Sequence, residues 1–308
     1  MIRLGGPTDT VDRVLSRGIA RRAVITGAMC VGLLVLTYLL AVWTPTGQRF
    51  EDAVLQAAAG GRQEAAIGTL DAITKWSLAA AVIVVVGIGY LRSKLSLGFA
   101  GGGVIAASVI TTEILRRSVL MRPLLLHSGV RREDQSFPSG HTTIAMSVMC
   151  GLVMVVPYRF RGIAVFLTSL WAASVGALTV TASWHRPSDT IGSDLIVMIY
   201  VCAAIAILAR CGSVREAEPR TDAGRTARRL LVGLLGTEAL VALGTAVLTG
   251  GRVLNELAAS ADPEVVPGSA LTAGRAIALA GISLIALTLL ALLRSIDFNR
   301  RAAGPRSR

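Results

Sequence analysis

Long apolar runs alternate with short polar, arginine-bearing breaks along almost the whole chain. Eight runs stand out: Ala23–Trp43, Trp76–Leu91, Leu97–Leu115, Thr142–Pro157, Gly162–Ala182, Thr190–Ala209, Leu230–Thr249 and Ala276–Leu293. Most lack the two-residue alternation of a half-buried strand, and the first carries no charge in 21 residues. In hydrocarbon the backbone must satisfy its own hydrogen bonds, so such runs predict helices. The expected fold is all-α, a polytopic membrane protein of about eight transmembrane helices. The first run is too long for a signal-peptide core and no small-x-small cleavage site follows it, so it is read as a span.

Composition agrees with that pattern. Of the 308 residues, 53% are hydrophobic and 16% charged, too apolar for an ordinary soluble domain. The net charge of +12 does not indicate nucleic acid, because the arginines sit in short runs between apolar stretches. Instead they give orientation. With both termini cytoplasmic, 20 of the 31 Lys and Arg residues fall on the cytoplasmic side, as topogenic charge requires, and the basic linker and tail would touch anionic lipid headgroups. Residues 1–210 then form six spans with a basic N-terminal segment, 211–229 a basic cytoplasmic linker, and 230–308 a two-span hairpin with a basic tail. The loop Thr44–Lys75 is Ala-rich, holds Gly60-Gly61, and reads as a connector with room for short interfacial helices. Of the four cysteines, three lie inside apolar runs and one in the basic linker, so no disulfide framework is expected.

Three stretches bring polar chemistry to one predicted face, the extracytoplasmic one: Arg116-Arg117-Ser118-Val119-Leu120-Met121-Arg122-Pro123, Phe137-Pro138-Ser139-Gly140-His141 and Trp184-His185-Arg186-Pro187-Ser188-Asp189. Together they suit an oxyanion. Pro138-Ser139 resembles a helix start, Gly140 lets backbone approach a ligand, and the free N–H groups of the helix N-terminus favour an anion. Arginine forks make paired, charge-assisted bonds to phosphate. Asp189, four residues after His185, can reach one imidazole nitrogen and leave the other nucleophilic. The carboxylates of this region, Glu113, Glu133, Asp134, Asp189 and Asp194, show no metal-ligand spacing, so cationic side chains are expected to neutralise the phosphate and no metal or other cofactor is expected. His127 matches no pattern and is read as a loop residue. Glu113 sits three and four positions before Arg116 and Arg117, the spacing of a helical ion pair.

These residues resemble the signature of the type 2 phosphatidic acid phosphatase (PAP2) superfamily. Pro138-Ser139-Gly140-His141 matches its second part in full, Arg122-Pro123 its first part, and His185-x3-Asp189 the second half of its third. The resemblance covers about Trp76–Ala209 and implies a six-helix catalytic core. It also implies that His185 attacks phosphorus, that Asp189 orients it, and that His141 protonates the leaving oxygen. Arg122, Arg116 or Arg117, Ser139 and Gly140 would hold the phosphoryl oxygens. The chain departs from the signature at Thr179, where the family has an arginine six residues before the histidine, and Arg186 is the candidate substitute. The expected activity is metal-independent hydrolysis of a lipid phosphomonoester or pyrophosphate, of polyprenyl or phosphatidate type, at the outer face of the cell membrane. A weakened lipid-phosphate-binding protein and a transporter or flippase are the other classes considered.

Overall fold

The computed structural model describes residues 7–61, 63–73, 75–92, 94–126, 136–217, 221–260, 265–294 and 296–298. His127, Arg131, Arg132, Glu133 and Asp134 lie outside them. The described residues form ten α-helices, and a helix coincides with each of the eight apolar runs: α1 (Pro7–Val42), α4 (Lys75–Leu91), α5 (Leu95–Ile114), α6 (Gly140–Val155), α7 (Arg161–Thr181), α8 (Pro187–Arg210), α9 (Asp222–Ala259) and α10 (Ala270–Leu292). The first connector folds into the other two, α2 (Pro45–Ala59) and α3 (Glu64–Asp71). One π-type turn, Leu115–Val119, continues α5.

These helices differ in length. Among the described residues, six helices are long and apolar enough to cross a membrane singly, and α3 with α4 make a seventh as a pair bent by 52°. The remaining helix, α6, has 16 residues, roughly 24 Å at 1.5 Å per residue and short of the ~30 Å hydrocarbon core. By contrast, α1 and α9 run to 36 and 38 residues, because their charged ends go on forming helix after the hydropathy falls away.

The outside is apolar. Leu36, Leu40, Ile83, Leu240, Val241, Val247 and Leu248 are all at least half exposed. A water-facing protein rarely shows so large a patch, whereas lipid accepts it. The chain is a multi-pass membrane protein. Its interior is built on α8, which packs against α1, α5, α6 and α10. Met146, Met149 and Met154 of α6, Ile196, Met198 and Ile205 of α8, and Ile282 and Leu289 of α10 fill it. Spans seven and eight therefore share one interior with the first six. At one end a two-stranded pair, β1 (Arg215–Glu216) with β2 (Ile296–Asp297), ties the linker after α8 to the segment after α10. Polar burial concentrates at the opposite end, where α6 and α8 begin.

Candidate active site

Two helix N-termini meet at the polar end. Ser139 is extended and caps α6, its Oγ accepting the Thr142 N–H at 3.3 Å. This hydroxyl, named as a phosphate ligand, is fully buried and serves the cap, while its own proton remains to be donated. The Ser139 N–H donates to the Asp189 carbonyl at 3.0 Å. The Ser193 hydroxyl bridges the Ser139 and Asp189 carbonyls at 2.6 and 2.9 Å. These contacts fix the start of α6 against the start of α8. Gly192 permits the approach, since a methyl there would meet the Phe137 ring at 2.6 Å. Gly140 faces open space, with nothing within 4 Å of where its Cβ would stand.

The second N-terminus carries the histidine. Pro187 takes the first position of α8, as its fixed φ favours. Asp189, fully buried, accepts the Arg186 N–H at 2.9 Å and stands 3.3 Å from Nδ1 of His185 through the same oxygen, Oδ2. With Nδ1 holding a proton toward the carboxylate, Nε2 keeps its lone pair. The preceding turn is pinned from several sides. Ser183 has a positive φ of 55° and donates to the Leu55 carbonyl at 3.1 Å. The Trp184 and His185 N–H groups both donate to the Thr179 carbonyl, at 3.1 and 3.2 Å. Thr179 thus supports the backbone of His185, while its hydroxyl turns back to Gly176 at 2.8 Å. His141 faces this turn, its ring centroid 5.3 Å from Trp184 and 6.4 Å from His185.

The expected cations divide. Arg122 reaches the site and is mostly buried. Its segment is held by Tyr38, which donates to the Met121 carbonyl at 2.6 Å, and by Gln48, which donates to the Pro123 carbonyl at 2.7 Å. Arg116 and Arg117 both pair with Glu113, the first at 2.7 Å, as the spacing predicts. Arg116 lies within electrostatic range of His141. Arg117 is largely exposed, so of the two Arg116 is nearer the chemistry. Arg186 is buried and donates to Ser136 Oγ at 3.0 Å and to Asp52 at 3.2 Å. Asp194 is buried with no hydrogen-bond partner among the described residues, deeper in the same helix.

Sequence reasoning missed the residues that answer these arginines. The connector Thr44–Lys75 does more than join two spans, because α2 inserts Glu51 beside Arg122 at 2.8 Å and Asp52 beside Arg186. The other Glu51 oxygen accepts the Ser188 N–H, in the first turn of α8, at 3.2 Å. Burial pushes the Glu51 carboxyl above the usual carboxylate range, with Arg122 pulling it back and Asp189 adding to the push. A signal was present: Glu51 shares the helical spacing of Gln48, Val54, Leu55 and Ala58, which form the buried face of α2. Among the described residues, no three His, Cys, Asp or Glu side chains cluster as a metal site would require.

Residues 99–211, from α5 through α8, match the family model described as PAP2 superfamily. Over this segment the chain is similar to the PAP2 superfamily. The matched segment includes Arg116, Arg117, Arg122, Ser139, Gly140, His141, His185 and Asp189, whereas Glu51 and Asp52 lie outside it. That similarity points to phosphatase chemistry on phosphate esters. No curated protein and no solved structure matches the chain.

Proposed function

We propose that this protein hydrolyses a phosphomonoester or pyrophosphate carried on a membrane lipid, without a metal, at the extracytoplasmic face. The observation that supports this is the meeting of His185–Asp189 with His141 at the starts of α8 and α6, two apolar helices whose first turns are polar. A headgroup phosphate reaches such a site while its hydrocarbon stays in lipid.

In the proposed reaction the Nε2 lone pair of His185 attacks phosphorus as the bond to the leaving oxygen breaks. Asp189 stabilises the imidazolium that forms, through the proton on Nδ1. His141 gives its proton to the departing alkoxide, which leaves as the lipid alcohol. The neutral His141 then takes a proton from water, whose oxygen attacks phosphorus as the P–N bond breaks. Inorganic phosphate leaves and His185 is restored. Arg122, Arg116, the Ser139 hydroxyl and the N–H groups at the start of α6 would offset the oxygen charge that shifts in the transition state.

The test is a phosphate-release panel with purified protein against polyprenyl phosphate, polyprenyl pyrophosphate, phosphatidate and phosphatidylglycerol phosphate, with trapping of a ³²P-labelled intermediate. The expected product is an alkali-stable, acid-labile phosphohistidine that disappears in His185→Ala. Phosphate binding without release from any lipid would establish instead a binding protein, the class that Thr179 in place of the family arginine raises.

A further inference from the structure

Glu51 is a buried carboxylate held as a bound anion would be. One oxygen accepts the Arg122 guanidinium at 2.8 Å and the other the backbone N–H of Ser188 at 3.2 Å. A guanidinium fork and a helix N-terminal amide are also the donors that suit a phosphoryl group. Moreover, two donors beside it are left over. Arg122 Nη2 and Ser188 Oγ are buried and find no hydrogen-bond partner among the described residues, an unusual condition for buried polar groups. The nearest carboxylate oxygen to Arg122 Nη2 beyond Glu51 is on Asp52, at 4.0 Å. A carboxylate brings two oxygens, whereas a transferring phosphoryl group brings three and satisfies more of this set.

We propose that Glu51 stands in the anion position that substrate phosphate takes at Arg122 and the start of α8, and so sets the protein's affinity for phosphate. This rests on the phosphatase function proposed above. The conflict behind it is electrostatic. A phosphate dianion and a buried carboxylate cannot both rest on Arg122 beside the Asp189 carboxylate, because like charges in a desolvated site repel strongly. Phosphate entry therefore requires Glu51 to swing away on its own side-chain torsions or to take up a proton. Burial already favours the protonated form. Glu51 and Asp52 come from α2, outside the matched PAP2 segment, so this competition is added to the family's machinery by a neighbouring helix. The same contacts allow an opposite role, in which Glu51 only holds Arg122 in place. The two roles differ in sign.

The experiment compares full-length wild type with Glu51→Gln and Glu51→Asp in detergent micelles. Gln removes the charge at nearly constant shape. Asp withdraws the carboxylate by one methylene and serves if the Gln variant does not accumulate folded. Inorganic phosphate affinity is read by titration calorimetry, and orthovanadate inhibition against p-nitrophenyl phosphate. Both variants should bind inorganic phosphate and orthovanadate roughly tenfold more tightly, the scale of one displaced charge-assisted hydrogen bond. Weaker or unchanged affinity in the folded variants overturns the proposal and leaves Glu51 as a support for Arg122. Wild type that binds phosphate but turns over no ester overturns hydrolysis, while the calorimetric comparison still decides the role of Glu51.

Discussion

Asp189 holds His185 from four residues along the chain, with Oδ2 3.3 Å from Nδ1 and 2.9 Å from the Arg186 N–H. One carboxylate oxygen thus orients the imidazole and joins the first turn of α8 to the residue before it. In Asp189→Asn an amide oxygen in the place of Oδ2 can keep both contacts but carries no charge to stabilise the imidazolium, and an amide NH2 in that place loses the acceptor for Arg186 and turns an N–H toward Nδ1, favouring the wrong tautomer. The expected loss in kcat on p-nitrophenyl phosphate is about 10³–10⁴-fold, with the fold retained. A loss below tenfold in a folded variant would remove Asp189 from the mechanism.

His141 and His185 should separate by leaving group. No substrate bypasses the nucleophile, so His185→Ala should abolish turnover of every ester. His141 donates a proton that a lipid alkoxide needs and nitrophenolate does not, a contribution of about 10²–10⁴-fold. His141→Ala should therefore lose lipid phosphatase activity yet keep a near-normal burst of nitrophenol. The burst, rather than steady turnover, is the measurement, because His141 also assists water. A burst that survives in His185→Ala and vanishes in His141→Ala would reverse the two roles.

Metal removal should leave the reaction running. The site offers cations and helix N-termini to the phosphate, so activity is expected to persist in excess EDTA and to be inhibited by vanadate. Loss on chelation with recovery in Mg²⁺ would show that an ion does the work assigned to Arg122 and Arg116.

The native cysteines report the sidedness. Cys30, Cys150 and Cys202 are buried, and Cys211 is exposed beyond the C-terminal end of α8, away from His185. In intact cells an impermeant maleimide should leave Cys211 unlabelled until the membrane is permeabilised. Gly61→Cys with Cys211→Ser, in the exposed turn after α2, should label at once. The opposite result would place the chemistry in the cytoplasm.

Glu51 also gives a pH signature. Its raised pKa means that the folded protein holds this proton more tightly than the unfolded chain. The associated stability is present below the unfolded pKa, about 4.3, and is lost as pH rises through the folded pKa. The side-chain amide of the Glu51→Gln variant cannot titrate. The apparent melting temperature of Glu51→Gln minus that of wild type should therefore grow from about pH 4 toward neutrality. A difference that stays flat, or shrinks, would contradict the raised pKa.

What could be read from the sequence alone is local. The eight apolar runs became helices because a backbone in lipid has no other way to satisfy its hydrogen bonds. Glu113 with Arg116 and Arg117 meet as their spacing predicts, since three and four residues make one helical turn and need no tertiary information, and Asp189, in the first turn of α8, reaches back to His185 just before it. Pro187 and Ser139 mark the starts of their helices for equally local reasons. What only the tertiary structure decided are the partnerships across long stretches of chain. Glu51 meets Arg122 across 71 residues and Ser188 across 137, and Asp52 meets Arg186 across 134. No periodicity encodes such pairs. They exist because α2 turns back onto Arg122–Pro123 and the start of α8, and because charges taken out of water must find opposite charges wherever the packing supplies them.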